Sequence, residues 1–145
     1  MIRISPEHLE AIQKHGESDY PYECCGMLFG TFDENKQKIV HEIFPISNAW
    51  EETTKRNRFL ITVDEFMQGE LAARKKKLDI IGFYHSHPDH PAVPSQFDLE
   101  HAWPLYSYII IAVQSKQGKE ITSWELNADR SQFTPETIEK ELTNV

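Results

Sequence analysis

Between Ser107 and Gln114 the chain runs Tyr108-Ile109-Ile110-Ile111-Ala112-Val113, with no polar residue interposed. A strand with one wet face alternates apolar and polar residues, so an uninterrupted run needs cover on both faces. Tyr106 to Gln114 is therefore read as the central strand of a sheet with helices packed against it. A second run, Ile80-Ile81-Gly82-Phe83, leads into Tyr84-His85-Ser86-His87 and reads as another strand, Asp79 to His85.

The remaining signals fit around these two. Ser5-Pro6-Glu7 opens a helix with a serine cap, proline at its first position and an acid in its first turn. Leu9 and Ile12 share a face of that helix, and Gly16 is read as its terminator. Cys24 to Gly30 reads as a buried strand, Asp33 to Lys36 as a polar turn, and Lys38 to Ile46 as the returning strand of a hairpin. Ser47 to Arg58 is polar and irregular, a candidate substrate-facing loop, and Phe59 to Ile61 a short strand. Thr62 or Asp64 caps a helix to about Lys77, with Phe66, Leu71 and Leu78 inward and Arg74 to Lys77 at its negative end. Ser95 to Ala102 reads as a short helix stopped at Trp103-Pro104. Lys116 to Lys119 turns into a strand from Glu120 to Leu126. Thr134-Pro135-Glu136 is expected to start a terminal helix using Ile138 and Leu142. Helices and strands in this order indicate an α/β or α+β sheet covered by helices.

With 145 residues and 39% hydrophobic content, one domain, residues 1–145, with one core is expected. The net charge of −8, from 15 basic and 23 acidic residues, argues against nucleic acid as the main partner. The first residues contain no apolar signal segment, and Tyr108 to Val113 is too short to cross a bilayer, so no membrane partner is expected. Cys24 and Cys25 are adjacent and cannot build a disulfide framework. Two thiols in a reducing cytoplasm are the expectation.

Chemistry concentrates between Tyr84 and Asp98. His85 and His87 are two apart, so on a strand both imidazoles leave the same face. Pro88, Pro91 and Pro94 stiffen a loop that ends at Ser95, with Asp98 three residues on. Zinc accepts two imidazole nitrogens and a carboxylate oxygen and leaves a fourth tetrahedral position for water, the pattern of a catalytic site. Such a water needs a general base, hence a further carboxylate nearby. Ser95-Gln96-Phe97-Asp98 also matches a capping box, a structural reading that stands beside the catalytic one. His8, His15, His41, His90 and His101 are read as packed or surface histidines.

The set resembles the signature of the JAMM (MPN+) zinc metalloproteases: an upstream glutamate, then His-Ser/Thr-His, seven residues, Ser, two residues, Asp. Here it is His85-Ser86-His87, seven residues from Pro88 to Pro94, Ser95, two residues, Asp98. Upstream, Pro21-x-Glu23-x-Cys25-Gly26-x-Leu28-x-Gly30 is similar to the segment that carries the family's catalytic glutamate. Asn48, Phe59-x-Ile61 and Gly82-Phe83-Tyr84 are weaker echoes, and the likeness spans roughly residues 1 to 126.

The resemblance implies a cytidine-deaminase-like α/β sandwich, a mixed β-sheet flanked by helices. It implies that His85, His87 and Asp98 hold Zn2+, that Glu23 exchanges a proton with the attacking water, and that Ser95 helps stabilise an oxyanion. Without the resemblance, Glu23 reads as an exposed loop acid. Cys25 is expected to be a buried small hydrophobe, with Cys24 either buried or at the mouth of the site. The compact chain is most similar to the small prokaryotic members. The implied activity is hydrolysis of a peptide or isopeptide bond at the C-terminal glycine of a ubiquitin-like or sulfur-carrier protein. A non-catalytic MPN scaffold is the alternative, and it predicts the loss of a ligand, which this sequence does not show. A zinc base deaminase needs His-x-Glu followed by Pro-Cys-x-x-Cys, and the adjacent upstream cysteines do not fit it.

Overall fold

A computed structural model describes residues 1–46 and 61–140. Its elements are β1 (Ile2–Ile4), α1 (Pro6–Asp19), β2 (Cys25–Phe32), β3 (Lys38–Ile46), α2 (Val63–Lys75), β4 (Asp79–Pro88), α3 (Gln96–His101), β5 (Ser107–Gln114), β6 (Gln117–Leu126), β7 (Phe133–Glu136) and β8 (Ile138–Lys140). The eight strands form one mixed sheet in the order β7-β6-β5-β4-β2-β3-β1-β8, an α/β architecture with helices on its faces. The expected strand at Phe59 to Ile61 falls largely outside the described residues, as does the loop from Ser47 to Arg58. Ile61 itself lies in no strand.

The apolar run of β5 is buried on both sides. Ile109, Ile111 and Val113 join the core under α1, together with Leu9, Ile12 and Tyr84. Tyr108 packs into the opposite core with Phe83, Met27 and Ala73 of α2, and Ile110 and Ala112 lie with Ala92. Alternation along a strand sends neighbours to opposite faces, so a fully covered strand is apolar throughout.

α1 continues past Gly16 to Asp19, so Gly16 is not a terminator. A β-carbon there would stand 3.0 Å from Val113 Cγ2 and 3.3 Å from Ile111 Cγ2. The glycine lets the helix axis approach β5 closely. In α2 the cap is Thr62, in a full capping box with Glu65, and the buried positions are Gly69 and Ala73. Phe66 and Leu78 pack against the core as expected, but Leu71 is 55% exposed. Small residues face the sheet here because Phe83 and Met27 already fill the space.

The largest correction lies at the C-terminal end. Residues 133–140 are extended rather than helical, although Leu142 is outside the described residues. β7 pairs antiparallel with β6, and β8 pairs parallel with β1. One stretch broken only at Thr137 thus joins both ends of the sheet, and Ile2 N donates to Thr137 O at 3.0 Å. Phe133 meets Tyr108 edge-on in one core, while Ile138 packs against the other. The buried Glu136 carboxylate accepts from Ser107 Oγ and Ser123 Oγ at 2.7 and 2.8 Å. A helix would shorten this span from about 3.3 to about 1.5 Å per residue and lose both edges. These tertiary contacts override the local Thr-Pro-Glu helix signal.

Candidate metal centre

β4 lies in the middle of the sheet, antiparallel to β2 and parallel to β5. Its register against β2 slips by one residue at Ile81, because Leu28 faces Gly82 and Phe29 faces Ile80. Beyond this bulge the alternation is regular. Phe83 faces the α2 side and Tyr84 faces α1. His85 and His87 follow Phe83's parity and point together toward α3.

Asp98 reaches the same point from α3. Ser95 caps that helix, its Oγ accepting from Asp98 N at 3.0 Å while Asp98 Oδ2 accepts from Ser95 N at 2.9 Å. The capping box therefore holds the carboxylate facing the histidines. The three atoms form a near-equilateral triangle. His85 Nε2 to His87 Nε2 is 3.1 Å, His85 Nε2 to Asp98 Oδ2 3.2 Å, and His87 Nε2 to Asp98 Oδ2 3.1 Å. His87 Nδ1–H donates to Pro91 O at 2.8 Å. That bond fixes the proton on Nδ1 and leaves the Nε2 lone pair turned inward, the usual outer support of a metal-binding imidazole.

This donor set fits a divalent ion. Zinc–ligand bonds of about 2.0–2.1 Å in a tetrahedron place ligand atoms roughly 3.3 Å apart. The observed triangle has nearly that edge, and all three residues are buried. Burial alone would raise the Asp98 carboxyl, but the adjoining His85 and His87 rings and the Ser95 N–H hold it well below the usual carboxylate range.

Glu23 precedes β2 and is buried, 4% exposed, which rules out an exposed loop acid. Burial, followed by the nearby charge of Asp98, pushes its carboxyl up to about 9. Glu23 is thus a buried carboxyl within electrostatic reach of Asp98. Ser95 is exposed at the rim of the site. Cys24 and Cys25 are both fully buried, so Cys24 does not open onto the mouth. Burial pushes its thiol up to about 12, and Cys25 also upward, so neither is a ready nucleophile. His90 is exposed, and His101 bonds to Phe97 O on its own helix.

Two polar groups near the site went unnoticed in the sequence. The Pro91 carbonyl orients His87, and Ser86 bonds to the backbone beside Glu23. Alternation is a usable signal for Ser86, since a hydroxyl between two same-facing histidines must face the opposite core and find a partner there.

Comparison with known proteins places the chain in a family. A family model described as prokaryotic homologs of the JAB domain matches residues 5–127. A desampylase of Haloferax volcanii is 38% identical over 114 residues, 75% of this chain and 78% of the relative. A protein from Salinibacter ruber, solved in solution, is 37% identical with a TM-score of 0.77, covering 97% of this chain and 92% of that one. A JAB1/MPN domain protein from Archaeoglobus fulgidus, 18% identical, shares the fold with a TM-score of 0.60 over 98% of both chains. The chain belongs to the prokaryotic JAB branch of the JAMM/MPN family. It is, by class, a JAMM-type hydrolase. Among the described residues no helix is long and apolar enough to cross a membrane.

Proposed function

We propose that this chain is a zinc-dependent isopeptidase or peptidase of the cytoplasm. It cleaves the bond that follows the C-terminal glycine of a ubiquitin-like or sulfur-carrier protein. The observation that carries the reading is the triangle of His85, His87 and Asp98 acceptor atoms with Glu23 buried beside it. The relative named a desampylase supports a protein conjugate as the substrate class.

In this reading His85 Nε2, His87 Nε2 and Asp98 Oδ2 hold the ion. When bound, zinc supplies Lewis acidity toward a carbonyl oxygen and brings water's pKa near neutrality. Glu23 removes a proton from the attacking water and delivers it to the leaving amine, so the carboxylate ends the cycle as it began. Burial keeps that carboxyl a strong proton acceptor, and a nearby cation would bring its pKa down toward the working range. Ser95 can serve as cap and oxyanion partner at once. Its lone pair accepts from Asp98 N, while the hydroxyl proton is available to an oxygen gaining charge as the carbonyl becomes tetrahedral.

Zinc-loaded protein, incubated with a panel of ubiquitin-like carriers bearing C-terminal extensions or lysine-linked conjugates and followed by intact mass, should release the carrier with a free glycine carboxylate. Absence of cleavage across the panel would reject this reading in favour of a non-catalytic MPN scaffold.

A further inference from the structure

The proposed base and the ligand pair come from separate stretches of chain, and their relative placement has to be fixed by something other than covalent connection. β2 begins at Cys25, opposite His85. One step further along the pair, Ser86 N donates to Cys24 O at 3.2 Å. In a regular antiparallel ladder the return bond would run from Cys24 N to the Ser86 carbonyl. Instead Cys24 N donates to Ser86 Oγ at 2.8 Å. A side-chain hydroxyl takes the place of a backbone acceptor, so the chain leaves the ladder at Cys24 while still being held to β4. Glu23 is the next residue out.

A second attachment lies at the other end of the same stretch. Tyr20 OH donates to Asp89 Oδ2 at 2.6 Å. Asp89 is itself fixed to the end of β5, its N donating to Val113 O at 2.7 Å and its Oδ1 accepting from Ser115 N at 3.1 Å. Residues 20–24 are therefore held at both ends, once by the residue between the two histidine ligands and once by a residue just beyond His87. Ser86 and Cys24 are both fully buried, so water cannot readily replace the inner bond.

We propose that Ser86 is a positioning residue for Glu23, with the Tyr20–Asp89 bond as its outer counterpart. The hydroxyl couples the backbone that carries the base to the strand that carries the ligands. This rests on the role proposed for Glu23 above. A catalytic group displaced by about 1 Å can cost on the order of 10²-fold in rate, so loss of the inner attachment should act on turnover and not on metal or substrate affinity.

The test compares Ser86→Ala, Ser86→Thr and Tyr20→Phe with wild type in three measurements. These are zinc content, amide exchange at Cys24 in the metal-free protein, and kcat and KM on a carrier conjugate that wild type cleaves. Ser86→Ala should speed Cys24 exchange and lower kcat roughly 10²-fold, with zinc content and KM unchanged. Ser86→Thr, which keeps the hydroxyl, should restore both exchange and kcat. Tyr20→Phe removes one outer hydroxyl without touching the core and should lower kcat less, again at constant KM. If Ser86→Ala does not fold, an unaltered kcat in Tyr20→Phe or Ser86→Thr failing to match wild type overturns the proposal. It is equally overturned if Ser86→Ala leaves Cys24 exchange or kcat unchanged, or if its kcat loss merely follows a loss of zinc. If wild type cleaves no conjugate, the proposed substrate class fails, and slow Cys24 exchange restored by threonine still decides whether the attachment exists.

Discussion

Two histidine–aspartate clusters lie on opposite faces of β4, and they differ in how their polar atoms are partnered. On the α1 face, Tyr84 OH donates to His15 Nδ1 at 2.7 Å, and His15 Nε2 lies 3.4 Å from Asp19 Oδ2. Donors meet acceptors there, and the chain is closed upon itself. On the α3 face, two imidazole nitrogens and a carboxylate oxygen converge on one point. With His87's proton fixed toward Pro91, that convergence brings acceptors together. Acceptors crowded in a buried pocket are stable only around a cation or a shared proton. Residue types are nearly the same on both sides, so composition alone does not make a metal site. The direction of the lone pairs does.

Removing a ligand should give the largest contrast. Asp98→Ala should weaken zinc binding by more than roughly 100-fold, beyond what loss of an outer-shell partner does, and abolish cleavage. Elemental analysis of purified protein checks it, and full zinc retention would withdraw Asp98 from the ligand set.

Glu23→Gln comes next, because it preserves shape and removes only the proposed base. Zinc content should be unchanged and cleavage should fall about 10²–10⁴-fold. A pH signature accompanies it in the metal-free protein. The folded-state carboxyl is raised from 4.5 to about 9, so between those values the folded chain holds a proton that the unfolded chain has lost. Its contribution is fully present below about 4.5 and is lost as pH rises through about 9. Denaturant midpoints of wild type should fall over that window, and those of Glu23→Gln should fall less. Parallel curves would remove Glu23 as a buried, protonated acid.

The smallest effect is expected on the other face. Tyr84→Phe deletes the donor to His15 and should lower unfolding free energy by about 1–2 kcal/mol, with zinc content and cleavage unaltered. A loss of zinc in this variant would show that the two faces are coupled and would undo the contrast.

Much of the fold was legible wherever pattern and environment agree. The β2–β3 hairpin, β4, β5 and the caps at Ser5, Thr62 and Ser95 follow from turn chemistry, apolar runs and Ser/Thr preferences. The failures share one cause. Gly16, Leu71 and Thr134 to Ile138 carry local signals that are sound in isolation, and distant partners outweighed each of them. Those partners were β5 crowding α1, Phe83 and Met27 filling the space under α2, and the open edges of β6 and β1 recruiting one extended segment. Single-chain patterns hold no record of such partners.

The same division runs through the site. Strand periodicity put His85 and His87 on one face, and the capping pattern placed Asp98 within a turn of Ser95, because both are short-range consequences of backbone geometry. Glu23 was legible only through a family likeness. Its burial beside Asp98 and its attachment through Ser86 depend on β2 docking against β4, some sixty residues later in the chain. Short-range order wrote the two histidines and Asp98 into the sequence. The docking of β2 on β4 decided that the Glu23 carboxyl would be buried there.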